Sequence, residues 1–275
     1  MSPIRAAAAL VLPFAAALAG LLAPADPARA QAAGAADLAK KLSNPVASLI
    51  SVPIQTNYDQ GFGPADGSRV LTNIQPVYPI TLSADWNLIS RTILPVIWQE
   101  DIAGNSGVQF GLGDVVQSLF LSPAEPGSNG VIWGVGPVAL LPTATDDLLG
   151  SGKFGLGPTA VALKQFGPWT LGFLGNHIWS VAGEGSRNDV NATFMQPFLS
   201  YTTPEAWTFT VNTETTYDWG SESWSVPLNA VVSKVVTLGA QPVSLFAGAR
   251  YWAEAPAGGP EGLGLRIGLT FLFPR

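Results

Sequence analysis

The sequence contains no cysteine. No disulfide can brace it, so an exported chain of this size needs a large core or a closed hydrogen-bond network. Charge is scarce as well. Asp, Glu, Lys and Arg make up 12% of the residues, against roughly 25% in soluble domains, and so little charge argues against a soluble protein. Long helical spans are also missing. Charge-free stretches such as Pro126 to Thr145 are broken by Gly130, Gly134, Gly136, Pro137 and Pro142. After Gln31 no segment offers about 20 helix-compatible apolar residues, which excludes a helical membrane protein. Lipid admits only helices and closed barrels, so an apolar exported chain without spanning helices points to a barrel.

What is present begins with an export signal. Arg5 supplies a positive start, Ala6 to Leu22 is almost unbrokenly apolar, and Ala28-Arg29-Ala30 gives a small-x-small cleavage pattern before Gln31. The chain therefore divides into a signal peptide (1–30), a periplasmic lead or short helix (31–45) and an outer-membrane barrel (46–275). The lead, Gln31 to Ser43, is rich in Ala, Leu and Lys and ends at Asn44-Pro45. It is either a short helix that enters the barrel or a flexible segment.

Barrel strands alternate outward apolar and inward polar residues over about ten positions. In Trp207 to Trp219 one face carries Trp207, Phe209, Val211, Tyr217 and Trp219, and the other Thr208, Thr210, Asn212, Glu214, Thr216 and Asp218. Trp86 to Trp98 repeats the arrangement, with Asn87 and Arg91 on the polar face. Trp169 and Trp179 are spaced alike. At about 3.3 Å per residue and a tilt near 40°, twelve residues rise roughly 30 Å, the distance between two aromatic girdles. Trp86, Trp98, Trp169, Trp179, Trp207, Tyr217 and Trp219 are thus the expected membrane-interface aromatics.

The same scan predicts a closed antiparallel all-β barrel of twelve strands. They span 46–57, 69–81, 86–99, 110–121, 130–142, 154–166, 168–181, 191–202, 206–218, 223–236, 241–253 and 262–273. The odd-numbered connections come out longer than the even ones, the pattern of long outer loops and short periplasmic turns. Acidic residues, among them Asp59, Asp101, Asp146, Asp147 and Asp189, fall in the long loops. Nine prolines inside strands, including Pro53, Pro76, Pro95, Pro137, Pro158 and Pro227, each forfeit a ladder hydrogen bond, which predicts bulges or shorter spans.

The last strand resembles the C-terminal signal that hands barrels to their assembly machinery: Arg266, Gly268, Phe271 and Phe273 fill its positions, although Pro274 and Arg275 follow. Three further blocks, Leu38 to Leu49, Gly111-Leu-Gly-Asp114 and Leu141 to Asp147, resemble a bacterial outer-membrane family. That family is labelled "transporter" and grouped with proteins of the MetA pathway of phenol degradation. The resemblance covers the mature chain and implies a barrel linked to uptake of aromatic compounds. It carries over no binding residues.

Little points to chemistry. The single histidine, His177, is followed by Ser180, which a strand places on the opposite face, so no local dyad forms. Gly155-Leu-Gly157-Pro158 imitates a dinucleotide fingerprint but lacks its amide donor. With Gly134-Val-Gly136-Pro137 it reads as two facing strands. Gly150-Ser-Gly152-Lys153 lacks the Ser or Thr of a phosphate loop. Asp146 and Asp147, with Asp101 or Asp189, offer carboxylates for a calcium ion, yet without calcium-loop spacing they read as solvated charge. No catalytic, cofactor-binding or metal residue is assigned, no cofactor is expected, and the chain is read as no enzyme.

The expected lumen residues are Asn87, Arg91, Asn212, Glu214, Arg250 and Arg266, of both signs. Twelve strands fall between barrels filled by side chains and wide channels, which suggests a narrow or plugged pore. The expected function is a pore or transporter for small solutes, apolar or aromatic ones included. The alternatives are a non-conducting structural or surface-interaction barrel and a lipid hydrolase. Expected partners are outer-membrane lipid and lipopolysaccharide, the barrel assembly machinery and a small solute, with no nucleic acid.

Overall fold

The computed structural model describes residues 29–274, so the expected signal peptide lies outside the described residues apart from its last two. The chain forms a helix, α1 (Arg29–Leu42), and then twelve strands. They are β1 (Ile50–Phe62), β2 (Gly67–Ile74 continued by Val77–Thr81), β3 (Trp86–Glu100), β4 (Val108–Leu112 continued by Val115–Pro123), β5 (Val131–Leu141) and β6 (Lys153–Phe166). The second half comprises β7 (Trp169–Gly183), β8 (Asn191–Thr202), β9 (Trp207–Thr213 continued by Thr215–Asp218), β10 (Ser223–Leu238), β11 (Gln241–Glu254) and β12 (Gly262–Phe273).

Each strand pairs antiparallel with its chain neighbour, and β12 returns to β1 from Ile50↔Phe273 to Tyr58↔Leu265. The ring is closed. No edge strand remains, and the backbone satisfies its own amides, as lipid requires.

The prolines shorten nothing. They interrupt ladders without ending spans. β4 breaks opposite Pro95, where the Gly113 amide bonds to the Pro95 carbonyl at 3.0 Å. β9 breaks at Glu214 opposite Pro227, beside a register shift at Val226/Pro227. Pro137 and Pro158 face each other directly. Each leaves a gap in the ladder on its far side, between Ser118 and Leu121 on β4 and between Leu156 and Thr159 on β6, and pairing resumes in the same register. Gly136 and Gly157 precede these prolines. A Cβ on either would overlap the carbonyl oxygen of Leu119 or His177, so glycine is what lets the strands stay together there.

Two boundaries, both of β1, differ from the sequence reading by more than two residues. β1 begins at Ile50 rather than 46, because residues 46–49 turn into the lumen. It then runs on to Phe62 through a bulge at Gly61 (φ 78°), leaving a first loop of four residues, 63–66. The longest connection is residues 142–152.

Alternation sorts the faces. Leu263, Leu265, Ile267, Leu269, Phe271 and Phe273 of β12 point outward, while Arg266, Gly268 and Thr270 point inward. Outward aromatics gather at both ends. Trp86 and Trp133 meet edge to face at 6.0 Å near the end bearing the termini, as do Trp169 and Tyr201 at 4.8 Å. Tyr217, Trp219 and Trp224 cluster at the loop end.

The lead is helical and enters the terminal mouth. Ala-rich α1 favours a helix, its last turn carries Lys40 and Lys41 where the dipole welcomes cations, and it stops before Asn44-Pro45. Ala39 and Leu49 are buried against Ala206, Val235 and Leu272. Lys40 is fixed twice: its ammonium donates to the Gly167 carbonyl at 2.8 Å, and its carbonyl accepts from the Gln165 amide at 2.9 Å.

Candidate functional site

Inward residues divide the lumen into an apolar and a charged region. Ile89, Phe120, Val161, Leu163, Leu174 and Phe198 form a buried cluster, and Val46 from the lead inserts into it. Burial of the cluster fixes the segment after α1 inside the barrel, at about 25 cal/mol per Å² of apolar surface covered.

The charged region lies across from it on β1, β2, β3, β9, β11 and β12. Arg266 grips Glu214 with two parallel bonds of 2.9 and 2.6 Å and donates Nε to Asn57 Oδ1 at 2.8 Å. Arg250 stands between two carboxylates, 3.4 Å from Asp59 and 3.7 Å from Glu214, with its guanidinium over the Trp252 ring at 4.7 Å. Trp252 in turn donates to Asp59 at 2.8 Å. Arg69 bonds to Gln99 at 2.9 Å, and Arg91 to Gln75 at 2.9 Å. Bidentate Arg–carboxylate pairs of this kind hold their geometry as well as their charge.

All six expected lumen residues point inward, and Arg91, Glu214, Arg250 and Arg266 come together in one network. Asn212 accepts from Asn229 at 2.8 Å. Asn87 lies apart, low in the apolar region, with Ser48 Oγ 3.4 Å away. Sequence reasoning missed Asn57, Asp59, Arg69 and Trp252. Asp59 was assigned to a loop because β1 was ended at 57, five residues short of Phe62. The period-2 pattern of β1 and β2 already put Asn57 and Arg69 on the inner face.

Two clefts lie between the lead and the barrel wall and share Leu42, Pro45 and Gln196. One, of about 210 Å³, is lined by hydroxyls of Ser200, Thr208, Thr210, Ser233 and Ser244. The other, of about 170 Å³, is lined by Arg91, Gln75, Val77 and Leu174. At the loop end, residues 142–152 fold over the opening. Leu149 is buried, and the Leu148 carbonyl accepts from Gln99 at 3.0 Å. Asp114, the acid of the Gly111-Leu-Gly-Asp114 block, holds this loop by accepting from the Ser151 amide (2.6 Å), the Ser151 hydroxyl (2.7 Å) and the Ala144 amide (3.2 Å). Arg187 clamps it from the next loop, donating to the carbonyls of Asp147 (2.7 Å), Ser151 (3.3 Å) and Gly150.

The acidic loop residues do not converge. Asp101 accepts from the Gly107 amide at 2.8 Å, and Asp189 pairs with Lys153 at 3.0 Å. Hydrogen bonds from Lys153 and Ser180 hold the Asp189 carboxyl below the usual carboxylate range. Among the described residues no three His, Cys, Asp or Glu side chains group to hold a metal.

The expected interface aromatics all lie on the outward face. Lys234 places its ammonium 4.6 Å over the Trp207 ring. His177 is outward too, tilted against Trp179 at 4.0 Å, and its Nδ1 is 2.7 Å from Thr193 Oγ1 on the neighbouring strand. Trp219 donates to the same hydroxyl at 2.8 Å.

No family model and no curated protein matches the chain. Its fold is similar to that of the COG4313 outer membrane channel from Pseudomonas putida F1. The TM-score is 0.63 at 13% identity, covering 82% of this chain and 96% of that one. The chain shares the closed-barrel fold of that outer membrane channel. More distant likenesses are the KdgM porin in complex with disordered oligogalacturonate (TM-score 0.47, 9% identity, 82% and 99% covered) and the outer membrane phospholipase A from Escherichia coli (0.49, 11%, 81% and 90%).

One expectation is corrected here. The chain was read as no enzyme because no hydroxyl lies beside His177 along its own strand, and that exclusion does not stand: antiparallel pairing brings a hydroxyl from across the ladder, Thr193 Oγ1, 2.7 Å from His177 Nδ1.

Proposed function

We propose that the barrel is a narrow outer-membrane pore for small solutes with apolar parts, aromatic ones included. The observation that carries this reading is the two-sided lumen, in which an apolar wall faces an arginine-rich polar one and clefts of about 210 and 170 Å³ run beside the lead. A purely structural barrel of this girth has no need of cavities between its lead and its wall. The resemblance to proteins of the MetA pathway of phenol degradation supports the same solute class.

The test is conductance in planar bilayers, together with phenol uptake by proteoliposomes. The full barrel is expected to show small discrete steps, and removal of residues 31–44 to enlarge them several-fold. If neither form conducts or admits phenol in several lipids, the pore reading fails.

A second reading rests on the His177–Thr193 pair, a hydroxyl and an imidazole within proton-transfer distance on the lipid-facing surface. It supports hydrolysis of membrane lipids. The geometry favours it less, because Nε2 of His177 is buried without a partner and no third group orients the ring. Equal phospholipid hydrolysis by the wild type and by His177→Ala would remove this reading.

A further inference from the structure

The charges of the lumen network do not balance. Arg69, Arg91, Arg250 and Arg266 face only Asp59 and Glu214. Arg250 and Arg266 each lie within ion-pair distance of a carboxylate. Arg69 lies over the Phe62 ring at 4.8 Å and bonds to Gln99. Arg91 makes one hydrogen bond, through Nη2 to Gln75 Oε1, and no ion pair among the described residues. Of the five N–H donors that a guanidinium carries, the protein therefore engages one.

Arg91 also lines the cleft of about 170 Å³ beside the lead. Gln75 and Gln196 supply further amide groups there, Lys41 lines it as a second cation, and Pro45, Val77 and Leu174 supply apolar sides. A planar cation lining a small cleft with apolar sides matches a planar oxyanion carried on an apolar body. The guanidinium fork fits a carboxylate bidentately, and the low dielectric strengthens the pair. The volume is below that of sites for drug-sized ligands, which suits a single small ring or a short chain.

We infer that Arg91 is the carboxylate-binding residue of a solute subsite, and that the pore selects small carboxylates with an apolar body over their neutral counterparts. The inference rests on the pore reading for transport but not for binding.

The experiment is therefore an equilibrium one. Purified full-length mature barrel in detergent is titrated with 4-fluorobenzoate and with 4-fluorobenzamide, and binding is read by fluorine NMR. A charge-assisted bidentate contact is expected to favour the acid by about ten- to a hundredfold. Arg91→Gln should remove most of that preference, leaving only what Lys41 supplies, while Arg91→Lys should keep a larger part of it. Lys164→Gln, on the outer face, should change nothing. Val77→Phe, which fills the cleft without altering charge, should weaken the acid as well and stands in if Arg91→Gln fails to fold. Equal binding of acid and amide by the wild type, or an undiminished preference in Arg91→Gln, would overturn the subsite. Absent conductance with the preference intact would instead sink only the pore.

Discussion

At the scale of single residues, the lumen is held by charges that depend on one another. Glu214 is the carboxylate between Arg266 and Arg250. Neutralising it leaves two guanidinium groups facing each other beside Arg91, and removal of one partner from such a buried pair costs about 3 kcal/mol. Glu214→Gln is expected to lower stability by that order, read as an earlier urea midpoint for the barrel in lipid vesicles. Gly157 fails differently. Its Cβ position meets the His177 carbonyl, so Gly157→Val is expected to cost about 2 kcal/mol by overpacking and to slow assembly, seen as a larger fraction migrating as unfolded without heating. A variant as stable as the wild type would show that this stretch of β6 and β7 can part freely.

At the scale of elements, the loop of residues 142–152 is a cover with two fastenings, Asp114 from the barrel rim and Arg187 from the neighbouring loop. Arg187→Ala removes three donated hydrogen bonds. Faster cleavage within 142–152 by added protease is expected, with larger single-channel steps. Asp189 tethers the loop that bears Arg187. Its carboxyl is held below the usual range by Lys153 and Ser180, so the charged form is the one favoured by the fold. That stabilisation is present above the ordinary carboxylate pKa and is lost as pH falls through the lowered one. Protease access to residues 184–190 should therefore rise only at strongly acid pH, and Asp189→Asn should mimic the acid state at neutral pH. Unchanged access in both cases would show that the ion pair does not tether the loop.

The elements were largely legible because barrel strands write their two faces into alternate positions, as in Trp207 to Trp219, where solvent and lipid make opposite demands. The folded-in parts were not legible. Val46 has the apolar character of a strand residue and was counted as one, since nothing in its neighbours distinguishes a wall from a plug. Asp59 looked like loop charge for the same reason: an acid that ends a strand reads alike whether it faces water outside or arginine within. The cross-strand approach of Thr193 to His177 depends on register, which a single strand does not carry.

For the molecule as a whole, the closed ring explains how a chain without cysteine and with little charge stays folded. Every strand pairs with both neighbours around the circumference, and prolines that would wreck an isolated sheet leave only local gaps in the ladders. Such a ring is expected to migrate faster unheated than heated in detergent gels. If the barrel conducts as proposed, the excess of guanidinium groups inside sets the sign of its selectivity. Anions should cross more readily than cations in reversal-potential measurements at low salt, where screening is weakest, and cation selectivity would contradict the lumen described above.

His177 leans outward against Trp179, and the sequence holds no second imidazole. The passage is consequently bare of the one side chain whose ordinary titration spans the mildly acid to mildly alkaline range. Between pH 5 and 8 the current through an open barrel is therefore expected to trace a flat line.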